Sequence, residues 1–241
     1  MTLRQIGPAL LAVLLGGVLA ILGSRWLIAE WNGEMAQTSL NNWAEQGGQP
    51  APAAVARAEA QAIQSIRFHP GRSGEHWDRL GRIYAWANWE APITLVDTQP
   101  ALIAAERLLA EPIGEAGAQS AERTRLRAFS AYDQAVSLRP LWPYGKLRLA
   151  SARLSAGVAD ARFNALLREG FELGPWRRSV NREVARLGLM AWDYLEPATR
   201  FVVLEACRRT AGFGRGDVAW LRTLADQTGR RALIDGLVLA R

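Results

Sequence analysis

Twenty consecutive residues between Arg4 and Arg25 carry no charge, and Ile6 to Gly23 is almost wholly apolar. At about 1.5 Å per residue, a helix of this length reaches roughly 30 Å, the thickness of one bilayer hydrocarbon core. Pro8 falls in its first turn, where a missing N–H costs little. Gly16-Gly17 is tolerated inside a membrane helix. A cleaved signal peptide is the competing reading, with Val18-Leu19-Ala20 as a small-residue cleavage site. The apolar run continues past Ala20 through Trp26-Leu27-Ile28, which favours an uncleaved anchor, and Trp26 and Trp31 would then sit at headgroup depth. A tail of a few residues bearing Arg4 precedes the segment. This is the layout of a signal anchor, so the expected topology is a single-pass bacterial inner-membrane protein with residues 30–241 in the periplasm.

The remainder suffices for one core: 49% of the 241 residues are hydrophobic. Cys207 is the single cysteine, so no intramolecular disulfide can form, and its apolar-basic surroundings predict a small buried hydrophobe. The net charge is +6 and the pI about 10.3, with Lys146 the only lysine. Abundant arginine and alanine are the habit of a GC-rich genome. The balance still permits an acidic partner. Nucleic acid is excluded as a partner by the expected compartment.

Organisation follows from the breaks. Residues 1–29 form the transmembrane signal anchor. Residues 30–52 read as a juxtamembrane segment and linker, ending in Gly47-Gly48-Gln49-Pro50-Ala51-Pro52. Residues 53–241 show helix signals and no sustained alternation of period two, which predicts an all-α domain. Within it, Trp77, Leu80, Gly81 and Tyr84 spell W-x2-L-G-x2-Y, which resembles the first helix of a tetratricopeptide (TPR) repeat. These four share one helix face. Glycine at 81 would let a facing helix approach closely, although it costs about 1 kcal/mol against alanine in a helix interior. Upstream, Ala58, Ala62, Ser65 and Pro70 occupy the small and terminal-proline positions of a second TPR helix. The matching second half of the Trp77–Tyr84 motif, Ala128, Tyr132, Ala135 and Pro140, comes only after an insertion at about 90–120. That insertion contains a short predicted helix at 101–110. Further helices are predicted from Pro143 to Ala156 with a stop at Gly157, from an Asp160 N-cap to Phe171, and in four more segments to the C-terminus. About three hairpins plus caps meet the minimum for a stack of this kind.

No chemistry is announced. The two histidines, His69 and His76, have Glu75 and Asp78 nearby but match no defined zinc spacing, and surface or capping roles are expected of them. Phosphate loops, G-x-S-x-G and H-E-x-x-H are absent, so neither catalytic residues, cofactor nor metal is expected. Trp77, Tyr84, Tyr132, Trp142, Trp176 and Trp192 fall at repeat-like positions and are expected in the core. Arg178, Arg182 and Arg186 recur every four residues, with Arg177 just before them. They read either as a solvated face, partly neutralised by Glu183, or as a grip for carboxylates or phosphates of an anionic partner.

From Arg127 onward the chain resembles a family. The carrying residues are Ala128, Tyr132 and Ala135; Leu138-Arg139-Pro140-Leu141-Trp142-Pro143-Tyr144; Phe163 with Ala165-Leu166-Leu167; Leu173-Gly174-Pro175-Trp176; and Leu187-Gly188-Leu189-Met190-Ala191-Trp192. Together with the layout of an anchor followed by helical repeats, they are similar to small membrane-anchored VpsP-like proteins found with Gram-negative exopolysaccharide systems. The resemblance spans about residues 121–195. It implies an accessory, non-catalytic part in polysaccharide assembly. The sequence therefore leads to an expected adaptor that binds a protein partner through a helical-repeat surface. The alternative is direct binding of anionic polysaccharide or lipid headgroups by the arginine-rich face.

Overall fold

A computed structural model describes residues 3–87 and 121–239, and the insertion with its predicted helix at 101–110 lies outside them. Among the described residues every regular element is a helix and there is no strand. In chain order these are α1 (Leu3–Gln46), α2 (Pro52–Phe68), α3 (Gly74–Trp86), α4 (Ala121–Leu138), α5 (Pro143–Ser155), α6 (Ala161–Leu173) and α7 (Arg178–Met190). A 3-10 turn at Trp192–Tyr194 leads to α8 (Pro197–Gly212), α9 (Arg215–Gln227) and α10 (Arg231–Leu239). The all-α expectation holds.

The first helix differs from its reading in the sequence. It is a single 44-residue element with no break near residue 30. Residues 11–28 are exposed along their whole length, and the helix is long and apolar enough to cross a membrane. From Ala29 the pattern changes. Ala29, Gly33, Ala36, Leu40 and Trp43 are buried, at alternating spacings of four and three. Such spacing lines one helix face with apolar residues. That face packs on α2 and α3. Residues 30–46, expected as a juxtamembrane segment, are therefore part of the domain, and only Gly47–Ala51 forms a connection. The reason is local: small residues at a 3.5-residue period need no loop and let neighbouring helices approach.

Gly33 makes this close approach possible. A Cβ added there would lie 2.6 Å from Arg79 Nη1 and 3.0 Å from His76 Cε1. Gly81 does the same at the crossing of α3 and α4, where an added Cβ would sit 2.7 Å from the Tyr132 ring. The two separated halves of the TPR-type motif thus meet in space across the insertion. Trp77 packs partly buried beside Leu80, Tyr84, Ala128, Tyr132 and Ala135, which are buried, while Pro140 is exposed in the turn that ends α4.

Downstream helices follow their sequence signals. Pro143 occupies the first turn of α5. Gly157, at φ 82°, closes its C-terminus, with Val158 N–H donating to Arg153 O at 2.8 Å. The Asp160 side chain caps α6 by accepting from Phe163 N–H at 2.9 Å, as predicted. Cys207 is wholly buried, and burial pushes its thiol up to about 12.

The helices alternate in direction, which gives the stack two distinct ends. Glu30 of α1 meets His76 near the start of α3, whereas Trp43 meets Trp86 at the end of α3, ring centroids 6.4 Å apart. Gly74 lies against Ala135 and Arg139 at the end of α4. Gly174, after α6, lies against Pro143 at the start of α5, and Tyr144 and Ser179 hydroxyls sit 2.9 Å apart. Arg209 near the end of α8 donates to Pro175 O at 2.8 Å. The α2–α3, α4–α5, α6–α7 and α8–α9 turns therefore share the end at which α1 leaves its exposed stretch. We call this the near end, and the opposite one the far end.

Candidate interaction surface

The sequence-derived arginine stripe is placed by α7 and resolves into ion pairs. Arg178 bonds Asp217 of α9 at 2.8 Å, and Arg182 lies 3.7 Å from the same buried carboxylate and stacks over Trp220 at 4.3 Å. Arg186 makes two bonds to Glu183, at 2.6 and 2.9 Å, and a third to Ser151 at 3.2 Å. Only Arg177 stands apart, exposed, with its guanidinium 5.9 Å from the Tyr144 ring. The stripe thus joins α7 to α5 and α9, leaving little of its charge for a ligand. The sequence hid this because Asp217 lies about forty residues downstream of Arg178.

Similar bridges link other neighbours. Glu59 of α2 accepts from the Tyr84 hydroxyl at 2.8 Å and from Arg127 of α4 at 3.3 Å, and burial with the Glu59 charge holds the Tyr84 hydroxyl in its neutral form. Asp78 pairs with Arg148 of α5, while burial, the largest influence, pushes its carboxyl above the usual range. Lys146 of α5 pairs with Glu169 of α6. Removing one member of the well-buried Glu59–Arg127 pair should cost about 3–5 kcal/mol, although such a pair as a whole adds little net stability.

The histidines come together with a residue that sequence reasoning did not associate with them. Glu30, His69 and His76 place their ligand atoms within 4.8 Å of one another. Histidine nitrogens and a carboxylate are the donors zinc takes. Arg79, however, holds Nη1 3.2 Å from His76 Nδ1. A guanidinium only donates, so Nδ1 accepts and the ring proton sits on Nε2, facing Glu30 Oε1 at 3.5 Å. A metal at Nε2 would require that proton to leave and Arg79 to move. The cluster works as a joint between α1 and α3. Glu75 and Asp78, the acids adjacent in sequence, are instead engaged by Arg79 and Arg148. Burial, followed by the Arg79 charge, holds the His76 pKa below its ordinary value.

The aromatic expectation also needs a correction. Tyr84 and Tyr132 are in the core, and Trp77, Trp142 and Trp192 are half-buried. Trp176 is 80% exposed. It lies in the short α6–α7 turn after Gly174-Pro175, where no further helix covers it, and its one flank is Arg209, stacked 4.4 Å from the ring. Leu141, in the corresponding α4–α5 turn, is 78% exposed. Beside it Arg139 stacks 4.3 Å from the Trp142 ring, and Trp142 meets Tyr144 edge-on at 5.9 Å. Tyr144 continues the surface to Ser179 and Arg177. A continuous band of aromatic and arginine side chains thus runs across the near end, from the α4–α5 turn to the α6–α7 turn. Its sequence signal was present in the parallel runs Arg139-Pro140-Leu141-Trp142 and Gly174-Pro175-Trp176-Arg177, each a turn rather than a packing element. Compared with family models, with curated proteins and with solved structures, the chain matches none.

Proposed function

We propose that the protein is a non-catalytic, membrane-anchored adaptor in envelope polysaccharide assembly, engaging a protein partner through its helical stack. The observation that carries the reading is the continuity of α1: an exposed apolar stretch passes without a loop into a face built into the core. A helix so joined holds its domain at a defined height and orientation, which serves positioning. Stacked hairpins bind extended segments or helices on their concave faces. The resemblance of residues 121–195 to VpsP-like proteins supplies the polysaccharide setting, and the signal-anchor layout supplies the periplasmic placement. Co-purification from mildly solubilised membranes tests this. Recovery of the chain alone, with unchanged polysaccharide in a deletion strain, overturns it.

The second reading, an anionic ligand held by an arginine face, moves from α7 to the near end. Arg178, Arg182 and Arg186 are engaged by Asp217 and Glu183, whereas Arg139 and Arg177 rest on aromatic rings.

A further inference from the structure

The two ends of the stack differ in charge. The near-end turns, residues 69–73, 139–142, 174–177 and 213–214, contain Arg72, Arg139 and Arg177 and no Asp or Glu. The described far-end turns, residues 47–51, 156–160, 191–196 and 228–230, contain Asp160, Asp193 and Glu196 against Arg230 alone. The three near-end arginines have neutral partners: the Gln134 amide at 3.0 Å for Arg72, the Trp142 ring for Arg139 and the Tyr144 ring for Arg177. Most carboxylates close to that end are engaged, Glu75 by Arg79, Asp78 by Arg148, Glu205 by Arg208 and Arg209, and Asp217 by Arg178, while Glu30 faces His76 and Glu172 is exposed at the end of α6. The near end therefore presents a surplus of positive charge beside Leu141 and Trp176, two large apolar side chains that the fold leaves uncovered.

The position of α1 says what lies opposite. Its exposed stretch ends at Ile28, and two residues on, about 3 Å along the axis, Glu30 is level with His69 of the α2–α3 turn and His76 in the first turn of α3. Arg25, five residues or about 7.5 Å before Glu30, reaches Arg67 O at 3.4 Å. If residues 11–24 are in lipid, Arg25 and the near-end turns face the headgroups. Tryptophan favours this depth, and arginine seats its stem among apolar groups while its fork takes phosphate.

We propose that the near end is a membrane-resting surface, in which Leu141 and Trp176 enter the interface and Arg72, Arg139 and Arg177 bind the phosphates of anionic lipid. The proposal rests on the reading of α1 as an anchor. Such a second point of contact would stop the domain from swinging about α1 and would leave the far end and the helix faces to the partner.

The test uses the full chain reconstituted into phosphatidylcholine vesicles with and without phosphatidylglycerol. Nitroxide labels are placed through Leu141→Cys, Trp176→Cys and, at the far end, Tyr194→Cys. Native Cys207 is wholly buried and stays unlabelled. With phosphatidylglycerol present, collisions with a water-soluble nickel chelate should be several-fold rarer at 141 and 176 than at 194. Arg139→Gln with Arg177→Gln should shrink that difference, as should high salt. Equal accessibility at the three positions overturns the proposal while leaving the anchor intact. Shielding indifferent to phosphatidylglycerol and salt overturns the lipid-phosphate contact. Extraction of the unlabelled chain by alkaline carbonate removes the anchor reading itself, and the proposal with it.

Discussion

Two tryptophans on one helix, Trp31 and Trp43, have opposite environments. Trp31 is 70% exposed, and Trp43 is 7% exposed and packs edge-on against Trp86. Both follow residue 28, Trp31 on the outer side of the helix and Trp43 on the side that faces α2 and α3; before residue 28 the helix has no buried side, so α1 has two parts that share a backbone and differ in pattern. Residues 11–23 are apolar all round and exposed along their whole length. Residues 29–43 are apolar on one face and complete the core. A uniformly apolar helix needs an apolar solvent, whereas a one-sided helix needs neighbours. Helix α1 is both, so its two parts should respond differently to the same kinds of change.

The largest effect should come from Trp43→Ala. Truncating a buried aromatic costs about 3–5 kcal/mol, read as a lower denaturant midpoint of the domain in detergent. A loss below about 1 kcal/mol would show that residues 29–43 are not part of the cooperative unit. Gly33→Leu should cost about 1–3 kcal/mol, because its side chain would drive into His76 and Arg79. The same substitution at Gly17, where nothing lies within 4 Å, should leave domain stability unchanged.

The Glu30–His76 joint gives a smaller effect with a defined sign. The folded-state pKa of His76 lies below its unfolded value of about 6.5, so the fold favours the neutral ring. Its contribution is therefore fully present above pH about 6.5 and is lost as pH falls through the folded pKa. Thermal melts between pH 7.5 and 5 should show stability falling with pH. His76→Gln, which keeps a polar side chain but cannot titrate, should flatten that slope; an unchanged slope would remove His76 from the joint. The smallest effect is expected for Trp31→Ala, under about 0.5 kcal/mol on domain stability, as for other exposed positions. A loss matching that of Trp43→Ala would erase the distinction between the outer and inner faces of residues 29–43.

Much of the fold was legible in the chain. The W-x2-L-G-x2-Y motif placed α3, and the spacing of Ala128, Tyr132 and Ala135 placed its partner α4 despite the intervening residues. Gly81 was assigned a close approach, and the Tyr132 ring fills it. Asp160 and Gly157 marked helix ends correctly. The 29–33–36–40–43 spacing of α1 is present in the sequence, but it follows without a break on an apolar run long enough to span a bilayer, which masks its one-sided pattern. Glu30 was missed as the partner of His76 because the two are far apart in sequence. Trp176 falls at a repeat-like position in the sequence, but a residue between Gly174-Pro175 and a helix start is in a turn and stays exposed.

Local properties were thus determined by the sequence alone: which segments are helical, where they stop, that one is long and apolar enough to span a bilayer, and which faces need burial. These depend on side chains within a few turns of each other, through propensity, caps and period. Tertiary structure decided which charges remain available. Asp217 takes Arg178 and Arg182, and Glu59 takes Tyr84 and Arg127, across long stretches of chain, whereas Arg139 and Arg177 rest on aromatic rings. Whether a basic residue is a structural tie or an exposed contact depends on distance in space, which one-dimensional spacing does not encode. For this protein that difference shifts the candidate interaction surface from a helix stripe to the turns beside α1.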